Sequence, residues 1–339
     1  MVMSFQDALQ LSGNDNKTVL LGNGFSIACD DVFNYRSLLE NSNVDNTIRD
    51  IFVRLETADF EVIINRFESA AQLIEMYTNE QEQLISQLRR DSQVLRGEFA
   101  RVIANKHVNF NRVFRMVIVN NMMRECDCLR FLSNFSKIFT TNYDLLLYWS
   151  IMRSLERSWR RRRQNQEREL IIPTNDEFNP NDGFTRLGDD QPLRYGGGID
   201  QNVFYLHGSL FLLQDGFDIL KMERDTNEGL NLLPIISNGI RNNEILPLIV
   251  LEGSSANKLS KISEHLYLSE ALNNLSKLDG SLFIHGHSLD RTDQHIFEAI
   301  NRGSVTQIFI SIINDESAEE MSRQAILRLG NNQTRQIYL

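Results

Sequence analysis

Short apolar runs rich in β-branched residues recur along the chain, and each breaks off sharply at glycine or at a polar cluster. The first, Lys17–Leu21 (KTVLL), stops at Gly22-Asn23-Gly24 and gives way to Phe25-Ser26-Ile27-Ala28. A buried strand that enters a glycine turn and then a helix is the opening unit of a doubly wound α/β fold. Comparable runs lie at Lys137–Thr141, Asn202–Leu206, Ile245–Leu251, Ser281–His285 and Thr306–Ile312. Patterns of helical period separate several of them, notably Lys258–Leu278 and Thr292–Arg302. This alternation predicts an α/β, Rossmann-like fold, a mostly parallel sheet flanked by helices.

Two stretches depart from that rhythm. Residues 44–132 contain no Pro and a single Gly, and carry Leu73, Ile74, Tyr77, Leu84, Ile85, Leu88, Val94 and Leu95 at helical spacing, so they read as an inserted helical region. Residues 153–200 hold the Arg160–Arg163 run, followed by PTNDEFNPNDGF and RYGGGI, a composition that favours turns and loops. The expected organisation is one domain over residues 1–339 with these two insertions.

Composition narrows the setting. With 339 residues, 42% hydrophobic and 24% charged, the chain can bury a substantial core and is not disordered as a whole. Thirty-five Lys plus Arg against 45 Asp plus Glu leave a net charge of −10, which argues against direct nucleic-acid binding. The Arg run is the local exception; a solvated face is the favoured reading over a patch for a partner. Three Cys exclude a four-Cys zinc site and cannot all pair as disulfides within the chain. The N-terminus lacks a basic segment followed by an apolar one, and no run is long enough to span a bilayer, so a cytoplasmic protein without membrane contact is expected.

Ligands of open α/β sheets bind beyond the carboxyl ends of the strands, and four runs end in unusual clusters. These are Gly22-Asn23-Gly24-Phe25-Ser26, Thr140-Thr141-Asn142-Tyr143-Asp144, His207-Gly208-Ser209, and Gly286-His287-Ser288 with Asp293 beyond it. Gly22 and Gly24 allow a backbone to approach a pyrophosphate at a helix N-terminus. Thr141, Asn142 and Asp144 either cap a helix or bring an amide and a carboxylate to the sheet edge. His207 is a structural histidine or a general base.

Taken in order, G-N-G-F-S, T-T-N-Y-D and H-G resemble the NAD-binding core of the sirtuin superfamily, and most closely the SIR2-like NAD-hydrolysing domains of bacterial antiphage defence proteins. Gly286, Ser288 and Asp293 resemble their G-x-S-x-x-x-D element, and Ile313-Asn314 resembles a late I-N pair. The resemblance implies a NAD glycohydrolase that releases nicotinamide, with NAD as substrate and no metal. It implies catalytic roles for His207, Asn142 and Asp144, and NAD contacts from Gly22, Asn23, Gly24, Phe25, Ser26, Thr141, Gly286, Ser288, Asp293 and Asn314. The interval after H-G holds no Cys, so the zinc module of deacylating sirtuins is missing. Such an enzyme must be gated, which implies a regulatory partner or nucleotide signal and homo- or hetero-oligomers. Two alternatives stand beside it: a non-catalytic nucleotide sensor, and a metal-dependent phosphoesterase built on His285, His287 and His295 with Asp290 and Asp293.

Overall fold

Four of the five residues of KTVLL are buried, the pattern of a central strand covered on both faces. In the computed structural model this strand pairs in parallel on both sides, at the heart of a six-stranded, all-parallel sheet. The strands of this sheet are β1 Lys17–Leu21, β2 Lys137–Thr140, β3 Val203–Tyr205, β4 Asp279–His285, β5 Ser304–Ile310 and β6 Gln336–Tyr338. Their order is β3-β2-β1-β4-β5-β6. This is the order of dinucleotide-binding folds, and it reverses between β1 and β4, which makes the gap beyond those two strand ends the topological switch point. The structure describes residues 2–78, 80–107, 118–119, 122–123, 127–152, 179–186, 188, 191–223, 232–242, 244–312, 315–330 and 335–339. Cys126, Arg160–Arg163 and Asn314 lie outside them.

Between β1 and β2 the described residues form helices Tyr35–Glu40, Asn46–Arg54, Phe60–Tyr77, Glu82–Lys106 and Asp127–Leu132, with a small strand pair, Ile118–Val119 and Met122–Met123. Asp45 and Asp59 cap two of these helices by accepting from the N–H groups of Ile48 and Glu61. An aromatic chain ties the region to the core: Phe52 to Phe60 and Phe60 to Phe99 at 5.2 Å, then Phe99 to Tyr143 at 5.7 Å between ring centroids. Each such buried ring contributes about 1.5–3 kcal/mol.

Two sequence expectations change. The run Ile245–Leu251 forms a strand only at Pro247–Ile249, and it pairs antiparallel with Gly208–Asp215 in a second sheet, not in the parallel one. Pro247 has no N–H for a ladder, and the strand accordingly sits at the edge of that sheet. Residues 153–200 are more than loops, since Phe184–Thr185 and Leu193–Tyr195 are strands of the same five-stranded antiparallel sheet, beside Asp218–Lys221. The helical pattern over Lys258–Leu278 is divided between two helices, Ser255–Ser263 and Leu266–Leu275, broken at Glu264 and His265. Among the described residues, no helix is long and apolar enough to cross a membrane.

Candidate functional site

Register brings the strand-end clusters level. Tyr205 pairs with Thr140, Thr140 with Leu21, and Leu21 with His285, a row across four strands at their carboxyl ends. One residue beyond that row lie Leu206, Thr141, Gly22 and Gly286; two residues beyond lie His207, Asn142, Asn23 and His287. Motifs 65 to 264 residues apart in sequence thus meet because the sheet aligns where their strands stop.

Gly22 and Gly24 pack closely against the backbone of the loop after β4. A Cβ on Gly22 would lie 2.6 Å from the carbonyl oxygen of Gly286, and one on Gly24 would lie 2.6 Å from the Cα of Gly286. Gly286 itself has φ of +68°, and a Cβ there would sit 2.5 Å from the backbone nitrogen of Phe25. The loops after β1 and β4 therefore cross backbone against backbone, joined by the N–H of Gly24 donating to the carbonyl of Gly286 at 2.8 Å. Asn23 turns its amide onto the carbonyl of Phe33. Phe25 is buried against His285, with ring centroids 6.4 Å apart.

Behind the crossing lies a buried polar knot. Ser26 Oγ donates to Asp144 Oδ2 at 2.5 Å and accepts from Asn142 Nδ2 at 2.9 Å. The same Asn142 amide donates to the carbonyl of Gly22 at 3.0 Å, while Asp144 Oδ1 accepts the N–H of Leu146 at 2.8 Å and caps the helix that begins there. These bonds settle which way the Asn142 amide faces. Its Oδ1 is then a buried acceptor with no hydrogen-bond partner among the described residues. Thr141 is half-buried and bonds back to the carbonyl of Leu21.

A second cluster surrounds His207. Its Nε2 lies 3.1 Å from Nε2 of His295 and 3.8 Å from Oδ1 of Asp293. Asp293 Oδ1 also meets Lys258 Nζ at 2.8 Å, and Oδ2 meets His287 Nε2 at 3.1 Å. Lys258, 1% exposed, bridges to Glu61 Oε2 at 2.7 Å, and Glu61 Oε1 accepts from the Tyr143 hydroxyl at 3.0 Å. Burial and then Lys258 hold His207 well below its ordinary range, and burial lowers His295 to about 4. Burial favours the neutral acid at Asp293, but Lys258 and His287 prevail and hold it well below the usual carboxylate range. Burial likewise opposes the charge on Lys258, and Glu61 and Asp293 overcome it and raise its pKa.

The expected His285, His287 and His295 triplet is not assembled. His285, the last residue of β4, lies against Phe25 and Phe131, and the positive φ of Gly286 redirects the chain that leads on to His287. His207, Asp293 and His295 offer ligand atoms within 4.8 Å of one another instead, close enough for one ion. Lys258 already supplies a positive charge to the carboxylate that would bind it. Ser288 is exposed. Beside the strand ends, a cavity of 350 Å³ lined by Phe5, Phe131, Phe283, His285, Phe309 and Ser311 opens under the N-terminal helix Phe5–Leu11.

Glu61, Lys258 and Ser255 escaped the sequence reading. A signal exists for two of them: Glu61 shares a helix face with Ile64, and Lys258 with Ile262, so each is a charge on an apolar stripe. No curated protein matches the chain. A family profile described as a domain of unknown function, DUF4917, matches residues 19–334, from β1 to just short of β6. That match covers both polar clusters and the helical region between β1 and β2, and the chain belongs to the DUF4917 family.

Proposed function

We propose that this protein is a NAD glycohydrolase, cleaving NAD to ADP-ribose and nicotinamide, and that it acts as a gated, NAD-depleting effector in bacterial antiphage abortive infection. The observation that carries this reading is the buried, unspent acceptor of Asn142, held beside the β1–β4 switch point where dinucleotides bind in sheets of this order. A hydroxyl of the nicotinamide ribose, or the attacking water, is the donor that fits it. The sirtuin-like motifs supply the rest of the reading.

In this reaction the bond between C1′ and the nicotinamide nitrogen breaks, and its electron pair neutralises the ring as it leaves. Water forms the new bond to C1′, and one proton is released. His207, neutral near pH 7 because it is buried, takes that proton as general base. Asn142 orients the water or the ribose, Asp144 holds Asn142 through Ser26, and Phe25 excludes water from the nicotinamide side. The backbone of residues 22–24, Thr141 and Gly286 borders the pyrophosphate, and the aromatic cavity under the N-terminal helix takes the adenine. Asp293 serves the site through charge, since both its oxygens are already engaged by Lys258 and His287.

Incubation with NAD, following nicotinamide by chromatography over a range of protein concentrations and with the products of neighbouring genes, tests the proposal. Activity lost in His207→Ala and Asn142→Ala supports it; unaltered activity in both variants overturns it.

A further inference from the structure

Two buried imidazole nitrogens 3.1 Å apart share one proton, and its position decides which atom of His207 can act. The surroundings are unequal. Asp293 Oδ1 lies 3.8 Å from Nε2 of His207, and its negative potential favours a proton on that nitrogen. Asp293 keeps its charge first through Lys258 and then through His287, which is held as a donor to it: Nδ1 of His287 accepts the N–H of Leu289 at 3.0 Å, which leaves the proton on Nε2 facing Asp293 Oδ2. On the far side of His295, Ser255 Oγ accepts the backbone N–H of His295 at 2.7 Å and lies 3.1 Å from its Nδ1, placed to accept the Nδ1 proton as well. Among the described residues nothing hydrogen-bonds to Nδ1 of His207.

We propose that His295 is the positioning residue of His207: it accepts the Nε2 proton of His207 and so presents Nδ1 of His207 as the basic atom of the site. The inference rests on the glycohydrolase reading for its catalytic consequence, while the proton position stands independently of it. When Nδ1 takes up a proton, the imidazolium that forms donates through Nε2 to neutral His295 and lies beside Asp293. Lys258 opposes that charge, and Glu61 in turn offsets Lys258. The arrangement uses a histidine where other enzymes use a carboxylate to orient the base. Ser255 supports His295 in the same way that His295 supports His207.

The test uses the full chain labelled with ¹⁵N-histidine, in which the six imidazoles are resolved by ¹⁵N shifts and assigned by single His→Gln variants. The expected pattern is Nε2–H with bare Nδ1 at His207, and the reverse at His295; a proton on Nδ1 of His207 overturns the proposal. In nicotinamide release, His295→Leu is expected to lower kcat by about 10²- to 10⁴-fold with little change in KM. His295→Gln, whose Oε1 can accept the Nε2 proton, should recover most of that loss. Equal loss in both variants, or none in either, refutes the positioning role. A wild-type protein that releases no nicotinamide under any condition ends the glycohydrolase reading instead, and the imidazole tautomers then decide the pairing alone.

Discussion

Ser26 and Asp144, from the first helix after β1 and the segment after β2, are joined by a buried hydrogen bond of 2.5 Å that ties two strand-end motifs together. The same hydroxyl receives the amide of Asn142, so one small side chain orients the carboxamide whose oxygen is left available. Ser26→Ala leaves a buried carboxylate oxygen and an amide N–H without their partner. The expected cost is about 1–3 kcal/mol, read as a lower urea midpoint with an unchanged slope. A midpoint equal to the wild type would show that the knot is not held by Ser26.

The crossing of the β1 and β4 loops separates the effect of backbone conformation from that of space. Gly216 and Gly286 both have positive φ, +61° and +68°, but a Cβ on Gly216 meets nothing within 4 Å, whereas one on Gly286 meets the Phe25 nitrogen at 2.5 Å. Gly216→Ala is expected to cost about 1–2 kcal/mol from conformation alone. Gly286→Ala should cost clearly more, seen as a larger loss of thermal midpoint. Equal losses would mean that the loops are free to separate.

Lys258 joins the helical region to the β4 side through Glu61 and Asp293. Replacing it by Met strands the carboxylates of Glu61 and Asp293, with an expected loss of about 3–5 kcal/mol. Glu61→Gln combined with Lys258→Met should recover part of that loss, and a double-mutant cycle measures the coupling. Strict additivity would show that the pair does not interact.

Stability should depend on acid in a stated direction. His295 is lowered to about 4 by burial, so between about pH 6.5 and 4 the unfolded chain binds a proton that the folded one does not. Stability is therefore full above the ordinary histidine range and is lost as pH falls through that window, by about 3 kcal/mol for this residue. Asp59 acts oppositely: burial, and then Glu61, raise it to about 7, so it favours the folded state in acid and loses that contribution as pH rises from about 4 to 7. His295→Gln should flatten the acid limb of the stability curve and Asp59→Asn should steepen its rise. Unchanged profiles would place these groups in contact with water.

Metal content checks the competing chemistry. Because Lys258 already neutralises Asp293, protein purified without chelator is expected to carry far less than one divalent ion per chain. Stoichiometric zinc or manganese, lost in His207→Ala, would favour a metal-dependent hydrolase at the same cluster.

Much of this protein was legible in its residue order. Continuous apolar runs such as KTVLL read as buried parallel strands because both faces must be covered, and the polar clusters that end them lie level at one edge of the sheet. The helical region between β1 and β2 was visible from its period and its lack of Pro. Pairing was not legible, since it is decided between segments far apart in the chain. Pro247 carries the same apolar signal as the parallel strands, yet it lies in another sheet because a residue without an N–H belongs at an edge. Glu61 and Lys258 look like two unrelated charges on helix faces until packing buries both and leaves each as the other's counterion. Residue order alone was enough to place five of the six strands of the parallel sheet and the polar clusters that follow four of them. That His207 meets His295 rather than His285, and that the Asn142 oxygen has no partner among the described residues, came from packing, because both depend on which groups the sheet register and the Gly286 crossing leave within hydrogen-bond reach.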